Sequence, residues 1–360
     1  MNPLKPGTDK APTGQQLNVS LAFAMNKNRW QKAAFKINQV IESIPYTKRV
    51  VSDEDAPNVT AKEKRTAALM ANAAADKYIW DNSKFELPLG FVAKELVVMQ
   101  NAVRYDYLLD SAEMDRTMSA IERILQQDML DGSDFWTHRF FLNDFIQSAS
   151  DDGTTGSFES AVKITTGTTV EQNLKLYSAQ QQLQSPAYLD RLRLVNGRVF
   201  ESTKGLTGEM KSQLRLTLTE GVSRGVGVRD LKGMINKRLG IGMARAERIA
   251  RTEINNAYTT AYMDEATELN NTALKESNWM IMQCHRSALS PTTRNKHGAR
   301  HGVIVTATQQ ADWWAIDGNK INCLCATLDV LVDKVTGEVL QQKMIDRMVK
   351  QRGEWFPVTR

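Results

Sequence analysis

Six of the seven cysteine and histidine residues in this 360-residue chain fall between Cys284 and Cys325, where even scatter would put about one. Thiols and imidazoles gather in this way either to hold a soft divalent metal or to fill a small core. The spacing is C-H-x11-H-x3-H-x21-C-x-C, which contains the C-x12-H-x3-H separation of compact zinc sites. Four ligands complete a tetrahedral site, and the favoured set is His297, His301, Cys323 and Cys325, with Cys284 or His285 as the substitute. C-x-C is less usual for zinc than C-x2-C, because two same-side residues of a strand must both turn toward one ion. A structural Zn2+, a metal-free core of buried thiols and hydrogen-bonded imidazoles, and a catalytic metal are the three readings.

Around the cluster the chain is β-rich. Residues 279–282, 303–306 and 326–332 carry the β-branched and aromatic composition of short strands, 334–338 (KVTGE) reads as a turn, and 340–352 as a terminal helix. The preceding chain is patterned for helices. Leu21, Met25, Ala33, Ile37 and Ile41 recur at mostly helical spacing until Pro45, and 62–80, 92–109 and 114–130 read as further helices. Residues 150–170 combine Gly, Ser, Thr and Asp, which is the composition of a linker or marginal hairpin. The fold expected is therefore α+β: mostly α-helical N-terminal and central regions with a small C-terminal α+β module. The divisions are a disordered arm over 1–16, a helical domain over 17–150, a linker or hairpin over 151–170, a central helical region over 171–270, the Cys/His module over 271–333, and a turn and helix over 334–360.

In the central region Leu214, Leu218 and Val222 form one apolar stripe, and Gly225 and Gly227 give the backbone freedom for a turn. Leu231, Ile235 and Leu239 rebuild the face until Gly240 and Gly242 break it. Gly225-Val226-Gly227 lacks a preceding strand and the full spacing of a nucleotide loop. The following helix, 243–269, places Glu253 in a stripe with Ile249, Ala250, Ala257 and Ala261. An unpaired carboxylate there would be costly, so Glu253 is expected to meet a cation or N–H donor, the alternative being a catalytic carboxylate.

Charge is unevenly spread. Residues 51–160 carry 10 basic and 20 acidic side chains, whereas 191–251 carry 14 and 5. The basic stretch reads either as solvated helix faces, as a surface for an acidic protein, or as a contact for nucleic-acid phosphates, with Arg224, Arg229, Lys232, Lys237, Arg238, Arg245 and Arg248 as the leading candidates. Contacts of this composition neutralise backbone and do not read bases. No apolar run reaches the roughly 18 to 20 residues of a membrane span, and the first residues lack a signal core, so a soluble chain made in a cytoplasm is expected. Three cysteines, an odd number, do not make a disulfide framework.

One resemblance ties these pieces together. Arg245-Ala246-Glu247-Arg248-Ile249-Ala250-Arg251-Thr252-Glu253, Trp279, Ser290-Pro291-Thr292-Thr293-Arg294-Asn295-Lys296-His297, Gly302 and Asn322-Cys323-Leu324-Cys325 resemble, in order, the motifs of tailed-bacteriophage minor head proteins, the phage Mu F-like head morphogenesis family. The resemblance covers roughly 210–332. Ser290 stands where the family usually has Asp, and Leu324 where it has Arg.

The resemblance implies a minor component of the capsid interior or portal vertex, assembled into the virion in the host cytoplasm. Its implied partners are the portal protein, packaged DNA bound without sequence preference, and a major capsid or scaffolding protein, with no membrane. It also implies structural roles for Arg251, Glu253, Arg294 and Asn322 and no enzymatic activity, which agrees with the lack of a visible nucleophile, base and orienting group. The alternative is a metal-dependent nuclease of the HNH-like class, although 326–332 is β-rich where that site has a helix. A toxin-like ADP-ribosyltransferase, suggested by Arg251-Thr252-Glu253, would need a strand-borne Glu.

Overall fold

The computed structural model describes residues 12–50, 103–131 and 140–355. In chain order the elements are α1 (Gln16–Glu42), β1 (Tyr46–Val50), β2 (Val103–Tyr107), α2 (Ser111–Leu130), α3 (Asn143–Thr165), α4 (Glu171–Leu174), α5 (Ala179–Leu183), α6 (Pro186–Ser223), α7 (Val228–Asn271), β3 (Trp279–Arg286), α8 (Asn295–Gly298), β4 (Ile304–Val305), α9 (Ala307–Ala315), β5 (Ala326–Asp333) and α10 (Gln342–Glu354). The fold is α+β and mostly helical, as expected. The chain divides into two units, one formed by 1–34, 122–210 and 239–360, the other by 35–121 and 211–238. These divisions run across the linear boundaries read from composition. The expected arm over 1–16 and helix over 62–80 lie wholly or largely outside the described residues.

In the smaller unit β1 and β2 pair antiparallel, with Tyr46 opposite Tyr107. The expected helix over 92–109 is therefore corrected where it is described, because 103–107 is a strand of alternating tyrosines. Tyr105 and Tyr107 both stack with Tyr46, at 5.2 and 5.7 Å between ring centroids. The strand is anchored by the Tyr105 N–H donating to the Gly225 carbonyl and the Tyr107 hydroxyl donating to the Val226 carbonyl. Gly225 has φ +66, so it makes the αL turn between α6 and α7 that its sequence context indicates.

Two large apolar clusters, and a smaller one of Met263, Trp314, Cys323 and Cys325, lie in the larger unit. One joins α3, α7, β3, β5 and α10 through residues such as Ala161, Leu269, Ile281, Leu331 and Ile345; the other joins α1, α3, α6 and α7 through Ala22, Ile146, Phe200 and Ile254. Its sheet has the order β4-β3-β5, antiparallel throughout, with His285 opposite Thr327 and Gln283 opposite Asp329.

Three expectations are corrected by this core. Residues 151–165 continue helix α3, whose Gly153, Ser157 and Ala161 are buried. A Cβ on Gly153 would come 2.3 Å from the Tyr258 carbonyl oxygen of α7, so the small residues serve close helix approach. Gly240 and Gly242 do not break α7, which runs through both; Gly242 gives room to the Trp30 ring, 2.7 Å from where its Cβ would stand. At the start of α1 the buried stripe is Ala22, Asn26, Trp30 and Ala33, while Leu21 and Met25 are exposed.

Candidate metal centre

Strand alternation decides which half of Cys284-His285 can join the cluster, since adjacent strand residues point to opposite faces. Cys284 turns into the apolar cluster beneath α10, where its thiol meets the Met348 sulfur at 3.7 Å and burial pushes its pKa up to about 12. His285 lies on the other face, fully buried, and burial, with Arg300 and His297 adding to it, holds its pKa down to about 3. It is therefore a neutral imidazole at physiological pH. A ring nitrogen of His285, a ring nitrogen of His297 and the Cys325 Sγ all lie within 4.8 Å of one another.

His297 sits in the single turn α8, and its Nδ1 is 3.4 Å from both the Cys325 and the Cys323 sulfur atoms. The hydrogen bond from Cys325, reinforced by His297, holds Cys323 well below the usual thiol range, while the same bond and burial push Cys325 well above it. The favoured set is thus corrected in one member. His301 does not face His297, because α8 ends at Gly298 and the chain turns through Gly302 at φ +84, so helical i,i+4 spacing does not apply. Instead its Nδ1 accepts the Ser287 N–H and its Nε2 meets Gln351, and burial lowers its pKa. His285 takes its place, and Cys284 is excluded.

Helix α9 closes the cluster, an element the sequence reading passed over although Thr306 and Gln309 form a capping box at its start. Trp313 packs edge-on against His285 at 5.1 Å and against His297 at 4.8 Å. Gln310 donates to His285 Nδ1 at 3.0 Å and accepts from Arg300, whose guanidinium lies 4.5 Å over the Trp313 ring.

The four residues expected to be structural all make specific contacts. Glu253 pairs with Arg198 at 2.6 Å, the cation its burial called for. Arg251 donates to the Asn322 side-chain oxygen at 3.0 Å and lies over Phe23, while the Asn322 N–H donates to Thr252 Oγ1 at 2.9 Å. Asn322 has φ +53, and Asp317 and Gly318 are also left-handed, so the chain before Cys323 turns sharply. Arg294 holds that turn by donating to the Gly318, Asn319 and Ile321 carbonyls. The motif helix and the cysteine loop are thereby joined.

The basic candidates divide. Arg224 pairs with Glu220, Lys232 with Glu42 and Arg245 with Glu209. Arg229, Lys237, Arg238 and Arg248 are exposed, and among the described residues no carboxylate pairs with them.

Fold and cluster together define a helix-rich α+β protein with a closed, buried Cys/His centre. Residues 212–328, about a third of the chain, match the family model of phage Mu protein F like proteins, so this region is Mu F-like, as its motifs indicate. No curated protein and no solved structure matches the chain. Among the described residues no helix is long and apolar enough to cross a membrane.

Proposed function

We propose that the chain is a minor head protein of the portal vertex or capsid interior, where it aids procapsid assembly and the packaging, retention or delivery of DNA. The observation that carries this reading is the Mu F-like match over 212–328, which spans the motif helix α7, Arg294 and the cysteine loop. The motif residues support an architectural role, since Arg251, Arg294 and Asn322 spend their polar groups on one another's loops. The portal protein is the expected partner, with scaffolding or major capsid protein beside it. Exposed Arg229, Lys237 and Arg238 would touch packaged DNA through phosphates only.

A nuclease is the less favoured reading. Hydrolytic metal sites keep a coordination position open to substrate, whereas His285, His297, Cys323 and Cys325 are all buried, and β5 follows where that class has a helix. The deciding experiment removes the gene from its phage and scores heads: loss of DNA-filled heads, with the chain recovered from wild-type procapsids bound to portal, is expected. Normal filled heads would refute the proposal. Cleavage of plasmid DNA by the purified protein with magnesium, manganese or zinc, abolished by His297→Ala, would favour the enzyme.

A further inference from the structure

Four buried side chains from three separate stretches of chain converge where nothing covalent requires them to meet: His285 from β3, His297 from α8, and Cys323 and Cys325 from the loop leading into β5. We propose that these four residues bind one Zn2+ per chain as a closed structural centre, with two nitrogen and two sulfur ligands.

Distance is the first support. Ligands about 2.1 Å (N) and 2.3 Å (S) from a tetrahedral ion stand roughly 3.6 Å apart. His297 Nδ1 is already 3.4 Å from both sulfurs; His285, His297 and Cys325 lie within 4.8 Å of one another, so a shift of about 1 Å brings these three to ligand spacing, and Cys323 joins them through its contacts with His297 and Cys325. Unsatisfied chemistry is the second. With its Nδ1 held by Gln310, His285 keeps Nε2 as the atom free to ligate, and that buried nitrogen has no hydrogen-bond partner. A ligating imidazole commonly gives its other N–H to an oxygen, and the Gln310 amide supplies one when turned over, giving up its bond from Arg300. Composition is the third: imidazoles and thiols, with no carboxylate in the set, suit a soft tetrahedral ion and not magnesium or calcium. The Trp313 indole packs edge-on against both imidazoles.

The consequence lies in the joints. The ion would fasten the cysteine loop to the sheet, and Asn322 carries that restraint to Arg251 and Thr252 on α7.

The test uses the full-length chain. Elemental analysis after dialysis should find one zinc per chain, and Co2+ in its place should give the visible bands of a tetrahedral ion with a sulfur-to-cobalt charge-transfer band. Cys323→Ser and His285→Gln should weaken zinc at least about 100-fold in chelator competition. Cys284→Ala and His301→Gln should keep it at full stoichiometry. Circular dichroism checks that each variant is folded; if a ligand variant is not, the cobalt spectrum of the unmutated chain still decides. A folded chain without the tetrahedral spectrum, a Cys323–Cys325 disulfide in freshly purified protein, or zinc lost in His301→Gln but kept in Cys323→Ser would each overturn the proposal.

Discussion

Adding one methyl group at Gly153 tests whether 151–165 is a core helix or a connecting segment, because the two arrangements give opposite signs. In an exposed helix or a loosely held segment, Gly→Ala gains up to about 1 kcal/mol by removing backbone freedom from the unfolded chain. At Gly153 the new Cβ would stand 2.3 Å from the Tyr258 carbonyl oxygen and 3.0 Å from the Ala261 Cβ. Real Cβ contacts essentially never fall below 3.0 Å, so the backbones of α3 and α7 must part by about 0.7 Å at least. Backbone cannot rotate aside as a side chain can. Overpacking of this kind costs about 3 kcal/mol at the upper end of its usual range, and the propensity gain of about 1 kcal/mol leaves a net loss near 2 kcal/mol. Gly205 in α6 is the control: it is exposed and a Cβ there meets nothing within 4 Å, so Gly205→Ala should stabilise by up to about 1 kcal/mol. Urea titrations followed by circular dichroism and tryptophan fluorescence read both variants. Gly153→Ala moving the midpoint upward, in step with Gly205→Ala, would refute the packing argument.

Other expected outcomes follow from the same contacts. Asp329 accepts hydrogen bonds from Ser157 and Gln283, yet burial outweighs them and raises its pKa from 3.8 to about 7. The folded chain then binds more protons than the unfolded one between about pH 4 and 7, so stability falls as pH rises through that window, by up to about 4 kcal/mol from this group. The difference in denaturation midpoint between wild type and Asp329→Asn should therefore shift toward the variant from pH 4 to pH 8; a difference independent of pH would refute this. Asn322→Ala loses the Arg251 bond and keeps a left-handed φ of +53, for about 2 kcal/mol, whereas Asn322→Gly should recover the backbone part; equal losses in chemical denaturation would remove the conformational argument. Arg198→Ala should cost about 1 kcal/mol by leaving the mostly buried Glu253 without its cation, and Glu253→Gln in that background should restore part of it. If Arg229, Lys237 and Arg238 meet duplex phosphates, the logarithm of DNA affinity should fall with the logarithm of salt at a slope of roughly −2.7, and a flat response would exclude them.

Much of the fold was legible because helical periodicity and its interruptions are local signals. Pro45 follows α1 closely, Gly225 makes the turn between α6 and α7, and the strands at 279–286 and 326–333 sit where β-branched residues cluster. The misread segment was 151–165, where Gly, Ser and Thr were taken for loop residues. Their choice there answers to the approach of α7, which is tertiary information absent from local propensity. The site shows the same division. Residue types and clustering pointed to Cys323, Cys325 and His297, and the need for a partner at Glu253 was readable from burial alone. Choosing His301 over His285 failed because the C-x12-H-x3-H spacing says nothing of the turn after Gly298, and because the face of β3 that meets the cysteine loop depends on which strands flank it. Trp313 and Gln310 went unnoticed, although the capping residues Thr306 and Gln309 marked the helix that brings them in.

A minor head protein must be found in the assembled head. Quantitative mass spectrometry of purified, nuclease-treated heads against the portal protein tests that most directly: a few copies per portal ring, retained through washing at high salt, is the expected result. A chain found only in the unassembled lysate fraction, and absent from procapsids and filled heads alike, would contradict it.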